Sequence, residues 1–300
     1  MKVAVTGGTG FVGGKLVDAL LKRGDEVWII SRTPGRLSNE SKNLRRVTWN
    51  ELEASPGLLG NLDAIVNLAG ESINQRWTED AKVRILQSRL DATEHIERII
   101  AKMEKKPDVV INASGISIYG TSQEAVFDEN SPPDVTDFLS GVVEKWEEAA
   151  DRIDVPRLVK LRVGIVLGRK GGAFPLMAMP YRFFVGGKVG SGKQWLSWIH
   201  IEDMTRLLLF CLDDPNISGP VNAAAPEPVT NDAFGRVLGA ALRRPHWFPV
   251  PAVMLNILFG ELSLLLLEGQ RALPRKALSH GFEFRYPTIS SAMKDLVGRG

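Results

Sequence analysis

Gly7, Gly10 and Gly13 fall within Val3-Ala4-Val5-Thr6-Gly7-Gly8-Thr9-Gly10-Phe11-Val12-Gly13, a spacing that can hold a pyrophosphate. A β-branched run precedes the glycines, and a helical pattern follows with Val12, Leu16 and Leu20 on one stripe. That strand-to-helix context is what the motif requires. Gly7 permits the tight turn, Gly10 lets the backbone approach the phosphates, and Gly13 lets the helix lie close to the strand. The helix N-terminus, from Thr9 through Phe11 and Val12, then presents backbone N–H groups to the negative charge. The alternative is a tight turn that binds nothing.

The end of the second strand selects the nucleotide. A carboxylate there, roughly 20 residues past the glycines, bonds the ribose hydroxyls of NAD. Here Val27-Trp28-Ile29-Ile30 ends in Ser31-Arg32, and no acid occurs from Val27 to Leu37. Arg32 can pair with a 2′-phosphate and stack on adenine, Ser31 can donate to the same phosphate, and Arg36 is a second cation. Unless Arg32 is merely a solvated strand end, the pattern predicts NADP(H).

Other chemistry-bearing residues carry less. Gly187-Lys188-Val189-Gly190-Ser191-Gly192-Lys193 has the glycine and lysine spacing of a triphosphate loop. Gln194 follows where a magnesium-holding Ser or Thr is needed, and no strong strand precedes it. It reads instead as a loop over a substrate cleft, with Lys188 or Lys193 available to an anionic substrate. No His, Cys or carboxylate set has metal spacing. Cys211, the single cysteine, lies in the apolar run Leu207 to Leu212 and reads as a small buried hydrophobe. One cysteine excludes a disulfide framework and fits a reducing compartment.

Short β-branched runs alternate with helical patterns up to about residue 165. Strands are predicted at Lys2–Thr6, Glu26–Ile30, Arg46–Trp49, Ala64–Leu68, Val109–Ala113 and Leu158–Val163, with intervening helices at Glu79–Lys102 and Val142–Ile153. Such alternation implies a parallel, doubly wound α/β sheet, a Rossmann domain over residues 1–165 with ligands at the carboxyl ends of its strands. After Gly168 the texture turns glycine-rich and then helical, at Asp203–Leu212, Thr230–Leu242 and Pro251–Leu267. Residues 166–300 thus read as a smaller, mainly helical substrate lobe.

A net charge of +2 over 300 residues gives no field that would argue for nucleic acid or an anionic membrane. The apolar run Val253 to Leu267 is interrupted by Asn256, Gly260, Glu261 and Ser263, well short of the ~20 residues a spanning helix needs. It reads as core or as a subunit interface, which allows a homodimer. With Met1-Lys2 leading directly into a strand, a cytoplasmic protein acting on a small molecule is expected.

On these residues the chain resembles the extended short-chain dehydrogenase/reductase superfamily. Asp63-Ala64-Ile65-Val66-Asn67-Leu68-Ala69-Gly70 is similar to the segment lining the cofactor ribose, which implies cofactor contacts at Leu68, Ala69 and Gly70. Ala113-Ser114-Gly115-Ile116-Ser117-Ile118-Tyr119-Gly120 is similar to the segment with the catalytic serine, either Ser114 or Ser117. Trp198 to Asp203 resembles the return from the substrate lobe. More narrowly, Arg76-Trp77, Ser88-Arg89 and the run from Leu266 through Arg271, Pro274-Arg275, Gly281-Phe282 and Tyr286-Pro287 resemble the atypical "epimerase family" group, NADP-dependent and nucleotide-sugar epimerase-like.

The catalytic pair of that superfamily, Tyr-x-x-x-Lys, is missing. Setting Glu147 on the glutamate that follows the pair puts Leu139 at the tyrosine and Val143 at the lysine. Lys145 is two positions away, on another side of the helix. Arg89 stands where most members carry an asparagine and can reach a cofactor phosphate or ribose. Arg84 and Arg162 are further candidates, each with a salt-bridged or solvated alternative. Ser114, Ser117 and Tyr119 remain to act on a substrate, Tyr119 as an acid/base or as a packed loop aromatic. His200 reads as a structural histidine rather than a proton donor. Two functions fit: an NADP-dependent oxidoreductase or epimerase, or an NADP(H)-binding sensor without turnover.

Overall fold

Strand side chains alternate between two buried faces, and that alternation builds the molecule. In a computed structural model describing residues 1–33 and 42–298, Val3, Val5, Val27, Ile29, Val109 and Ile111 face one core. Ala4, Trp28, Ile30 and Val110 face a second. Both faces are apolar, as a parallel sheet covered by helices on each side requires.

The sheet has seven strands: β1 (Lys2–Thr6), β2 (Glu26–Ser31), β3 (Leu44–Thr48), β4 (Ala64–Asn67), β5 (Val109–Gly115), β6 (Leu158–Val163) and β7 (Gly219–Ala223). Their order is β7-β6-β5-β4-β1-β2-β3, all parallel. The order reverses between β1 and β4, the crevice where such sheets bind dinucleotides. Helices α1 (Phe11–Arg23) and α4 (Ile201–Asp213) pack on the first core. Helix α2 (Glu79–Ala101) places Ile96, Ile99 and Ile100 in the second. Helix α3 (Phe138–Asp151) packs beside α2.

Boundaries shift where caps decide them. Trp49 was expected to end a strand but opens the helix Trp49–Ala54, because Thr48 and Glu51 form a reciprocal capping box. Helix α3 begins four residues before the expected Val142, since Asp137 caps it by accepting from the Ser140 N–H. The expected helix Pro251–Leu267 is three pieces, Ala252–Phe259, a 3₁₀ turn Gly260–Ser263 and Leu264–Leu267. The break falls at Gly260, whose φ of 56° does not continue a right-handed helix.

The sheet draws on residues from both sides of residue 165. Strand β7 and helix α4 come from beyond it, yet β7 pairs with β6 in register from Gly219↔Val159 to Ala223↔Val163. A further apolar cluster gathers three of the remaining helices. Helices Phe174–Arg182, Asn231–Leu242 and Ile289–Val297 bury Phe174, Tyr181, Phe234, Leu238 and Met293 around Leu167 and Trp198. No helix among the described residues is long and apolar enough to cross a membrane.

Candidate functional site

The phosphate turn is held by steric necessity. Gly7 has φ 65°, and a Cβ on it would stand 2.6 Å from the Leu68 carbonyl oxygen. A Cβ on Gly13 would collide with the Gly7 carbonyl. Gly10 and Thr9 are exposed, and Gly10 caps α1 with no side-chain partner and no acid in the first turn. An uncompensated helix N-terminus behind an open turn is what a pyrophosphate fits. Val12 is half-buried here, while the Phe11 ring packs away, against Gly168, Gly171 and Gly172. That leaves Phe11 its backbone for a ligand.

Thr6 ties this turn to its neighbour. Its hydroxyl accepts from the Leu68 and Ala69 N–H groups, both at 3.1 Å, and donates to Asn67 Oδ1 at 2.6 Å. Asn67 in turn donates to Asn112 at 2.6 Å and to Thr93, which also receives the Trp146 indole N–H. This buried polar cluster joins β1, β4, β5, α2 and α3. Asparagine and threonine inside strands and helices gave no sequence sign of it.

At the far end of β2, Arg32 is exposed, and the Ser31 hydroxyl donates to the Thr33 carbonyl at 2.7 Å. Arg36 lies outside the described residues. Arg89 is the inner cation. Its Nη1 donates to the carbonyls of Glu71 (3.1 Å) and Ile85 (2.7 Å), and its guanidinium lies 5.1 Å over the Trp146 ring. Burial pushes its pKa down to about 10, so it stays charged at neutral pH. It also crowds Gly70, whose Cβ would lie 3.2 Å from the guanidinium carbon.

Beyond the carboxyl end of β5 opens a cavity of about 350 Å³. Ser114, Ser117 and Arg89 lie on its wall, together with Leu139 and Val143, the two positions that lack the expected tyrosine and lysine. Trp77, Val142, Trp146, Trp195, Leu196, Leu264 and Leu265 complete most of the lining. Thr121, Asp137, Ser197, Glu268 and Gln270 add polar side chains to it. The C-terminal run closes this space. Gly269 lies so near the Trp195 carbonyl that a Cβ would overlap it, and Ser197 Oγ donates to the Gln270 carbonyl at 2.8 Å.

Several candidates go elsewhere. Tyr119 is fully buried and its hydroxyl donates to Asn222 Oδ1 at 2.8 Å, so it takes the packed alternative rather than an acid/base position. Burial leads a net rise of its pKa, even with Arg162 close by. Arg162, offered as a cofactor ligand, instead grips Glu147 through Nε (2.8 Å) and Nη2 (2.9 Å) and donates to the Tyr119 oxygen at 2.9 Å. Ser114 donates to Glu147 at 2.6 Å, so its proton is already engaged, and Ser117 is the half-exposed hydroxyl. The glutamate that served only to align the helix is therefore the hub of a buried network. Arg84 is exposed and reaches Gln75 at 3.4 Å, away from the cavity wall.

His200 caps α4 by accepting from the Glu202 N–H and stacks 3.9 Å from Tyr286, which is the structural role. Cys211 is buried, which pushes its thiol up to about 12. Lys145 is exposed on the outer face of α3. Lys188 and Lys193 were expected over the cleft. They line a separate cavity of about 450 Å³ with Asp232, Arg236 and His246.

Residues 3–138 match the NAD dependent epimerase/dehydratase family, and residues 250–296 match a domain of unknown function, DUF1731. The chain is 44% identical over 300 residues to the epimerase family protein YfhF of Bacillus subtilis, covering 99% of this chain and 98% of that protein. It is 40% identical to the human epimerase family protein SDR39U1, covering 99% and 100%. A crystal structure of human SDR39U1 (isoform 2) with NADPH superposes with a TM-score of 0.90 at 40% identity, over 99% of both chains. MoeE5 in complex with UDP-glucose and NAD shares the fold at a TM-score of 0.78 and 20% identity, over 99% of this chain and 97% of that one.

Proposed function

The chain belongs to the epimerase family, and on that footing we propose that it binds NADP(H) and acts as an oxidoreductase on a small molecule. The carrying observation is the open, uncapped N-terminus of α1 after β1, with the cavity at the end of β5 on the same carboxyl edge of the sheet. Gly7, Thr9, Gly10, Phe11, Val12 and Gly13 hold the pyrophosphate through backbone. Arg32 and Ser31 take the 2′-phosphate, Leu68 to Gly70 line the ribose, and Arg89 reaches into the space that a lysine usually fills. The relative solved with NADPH supports the choice of nucleotide. Bound NADPH supplies a hydride at its nicotinamide. The protein's own part is to seat a substrate against Ser117, Leu139 and Val143. None of these three is an acid that titrates near neutral pH.

That last feature also favours a second reading, a sensor that binds NADP(H) and does not turn over. Calorimetric titration tests the cofactor assignment: NADPH binds at least tenfold tighter than NADH, a gap of ~1.4 kcal/mol, and Arg32→Ala removes most of it. Equal affinities in the unmutated protein overturn the assignment. Tight NADPH binding with no turnover on any aldehyde, ketone or quinone decides for the sensor.

A further inference from the structure

Diphosphate-linked substrates need cations, and the cavity beyond β5 offers almost none. Its charged lining is Arg89, Asp137 and Glu268, one cation against two carboxylates. Both carbonyl contacts of Arg89 bind it to its own surroundings. Nearby Lys82 is neutralised by Glu261 at 2.7 Å and Glu79 at 3.2 Å. Arg271 lies 4.6 Å over the Trp195 ring and is not part of the lining. Lys188 and Lys193, expected to be available to an anionic substrate, line the other cavity. Two negative charges brought here would lose their hydration and meet further carboxylates without a cation beyond Arg89 to offset the loss.

The larger part of the wall is apolar. Trp77, Trp146, Leu139, Val142, Leu264 and Leu265 present aromatic and aliphatic surface, and Ser117, Thr121, Ser197 and Gln270 between them are uncharged. Such walls reward flat, apolar ligands. Proton supply points the same way, since the Ser114 hydroxyl is engaged as a hydrogen-bond donor to the Glu147 carboxylate and no acid stands at Leu139 or Val143.

We infer that the substrate subsite takes an uncharged, planar two-electron acceptor of the quinone type and rejects nucleotide-sugars. This rests on the NADP(H) reading above. A quinone receives two electrons and one hydrogen from NADPH as the nicotinamide C4–H bond breaks and NADP⁺ forms. The hydroquinone anion that results is delocalised and takes its second proton from water. No protein acid is required, which suits a site without one.

Binding to the NADP⁺-loaded protein separates the possibilities, because no turnover is needed to read it. In calorimetry, 2-methyl-1,4-naphthoquinone binds at least tenfold tighter than UDP-glucose. Leu265 is 37% exposed on the cavity wall, so Leu265→Arg introduces a charge without unfolding the core. It weakens the naphthoquinone at least tenfold, and Leu265→Met restores it. UDP-glucose binding as tightly as the naphthoquinone overturns the inference, as does a naphthoquinone that fails to bind or ignores Leu265→Arg. A protein that takes up no NADP⁺ in a separate titration overturns the cofactor reading itself, and this inference with it.

Discussion

Arg89 shows how one side chain can serve two masters. It fastens the Glu71 and Ile85 carbonyls and so braces the chain after β4, yet its guanidinium also lines the cavity. Its Nε and Nη2 have no partner among the described residues and are free for a ribose or phosphate oxygen. Hydrogen bonds from a charged donor are worth roughly 1.5–3 kcal/mol. Arg89→Ala should therefore weaken NADPH about tenfold by calorimetry, with a smaller loss for Arg89→Lys, which keeps the charge without the fork. If the melting temperature falls while affinity stands, Arg89 is a brace only. The family resemblance put Arg89 first and Arg162 behind it, and left Tyr119 between an acid/base and a packed role. What separated the three was the partners each side chain meets, which sequence spacing does not report.

At the scale of elements, the Ser114–Glu147–Arg162–Tyr119–Asn222 network joins β5, α3, β6 and β7 through side chains. Burial opposes ionisation of Glu147, but the Arg162 hydrogen bond and charge, with Ser114 and Lys160, outweigh it and hold the carboxyl below the usual carboxylate range. A carboxylate depressed in the folded state contributes its stability above the unfolded value of about 4.3, and loses it as pH falls through the folded one. Urea unfolding followed from pH 7 down to 3 should show that loss. Glu147→Gln strands the Arg162 charge, so it should unfold about 3–5 kcal/mol more easily at pH 7 and lose less on acidification. Parallel pH profiles for the two proteins would show that Glu147 carries no linkage. Sequence placed both elements of the pair correctly, Glu147 on α3 and Arg162 on β6. It gave no hint that the two meet.

For the whole molecule, the telling fact is that the sheet is completed late. Strand β7 covers the free edge of β6, and α4 buries Met204, Leu207, Leu208 and Cys211 on the first core. A chain cut after residue 165 would leave that edge and that face open to water. It should show no cooperative thermal transition by circular dichroism. A sharp transition in the fragment would mean that residues 1–165 fold independently. The late strand escaped the sequence reading because Gly219-Pro220-Val221-Asn222-Ala223 has few β-branched residues and starts with two strand-breakers. Its pairing, not its composition, makes it a strand.

What the sequence determined by itself was whatever is local. Glycine spacing, a strand before it and an apolar stripe after it specify the phosphate turn, because steric limits on a βα turn act within a dozen residues. The missing acid after β2 and the leucine and valine in place of the catalytic pair are equally local, being identities at fixed offsets. Only the tertiary structure decided which polar groups lie at the cavity and which are spent inside. Ser114 and Ser117 are three residues apart, yet one is bound to a glutamate and the other half-exposed. Lys188 and Lys193, offered to the cleft by their sequence, line another cavity. The reason is that desolvation and hydrogen bonding are settled by groups far apart in the chain, and no spacing rule encodes their distance in space.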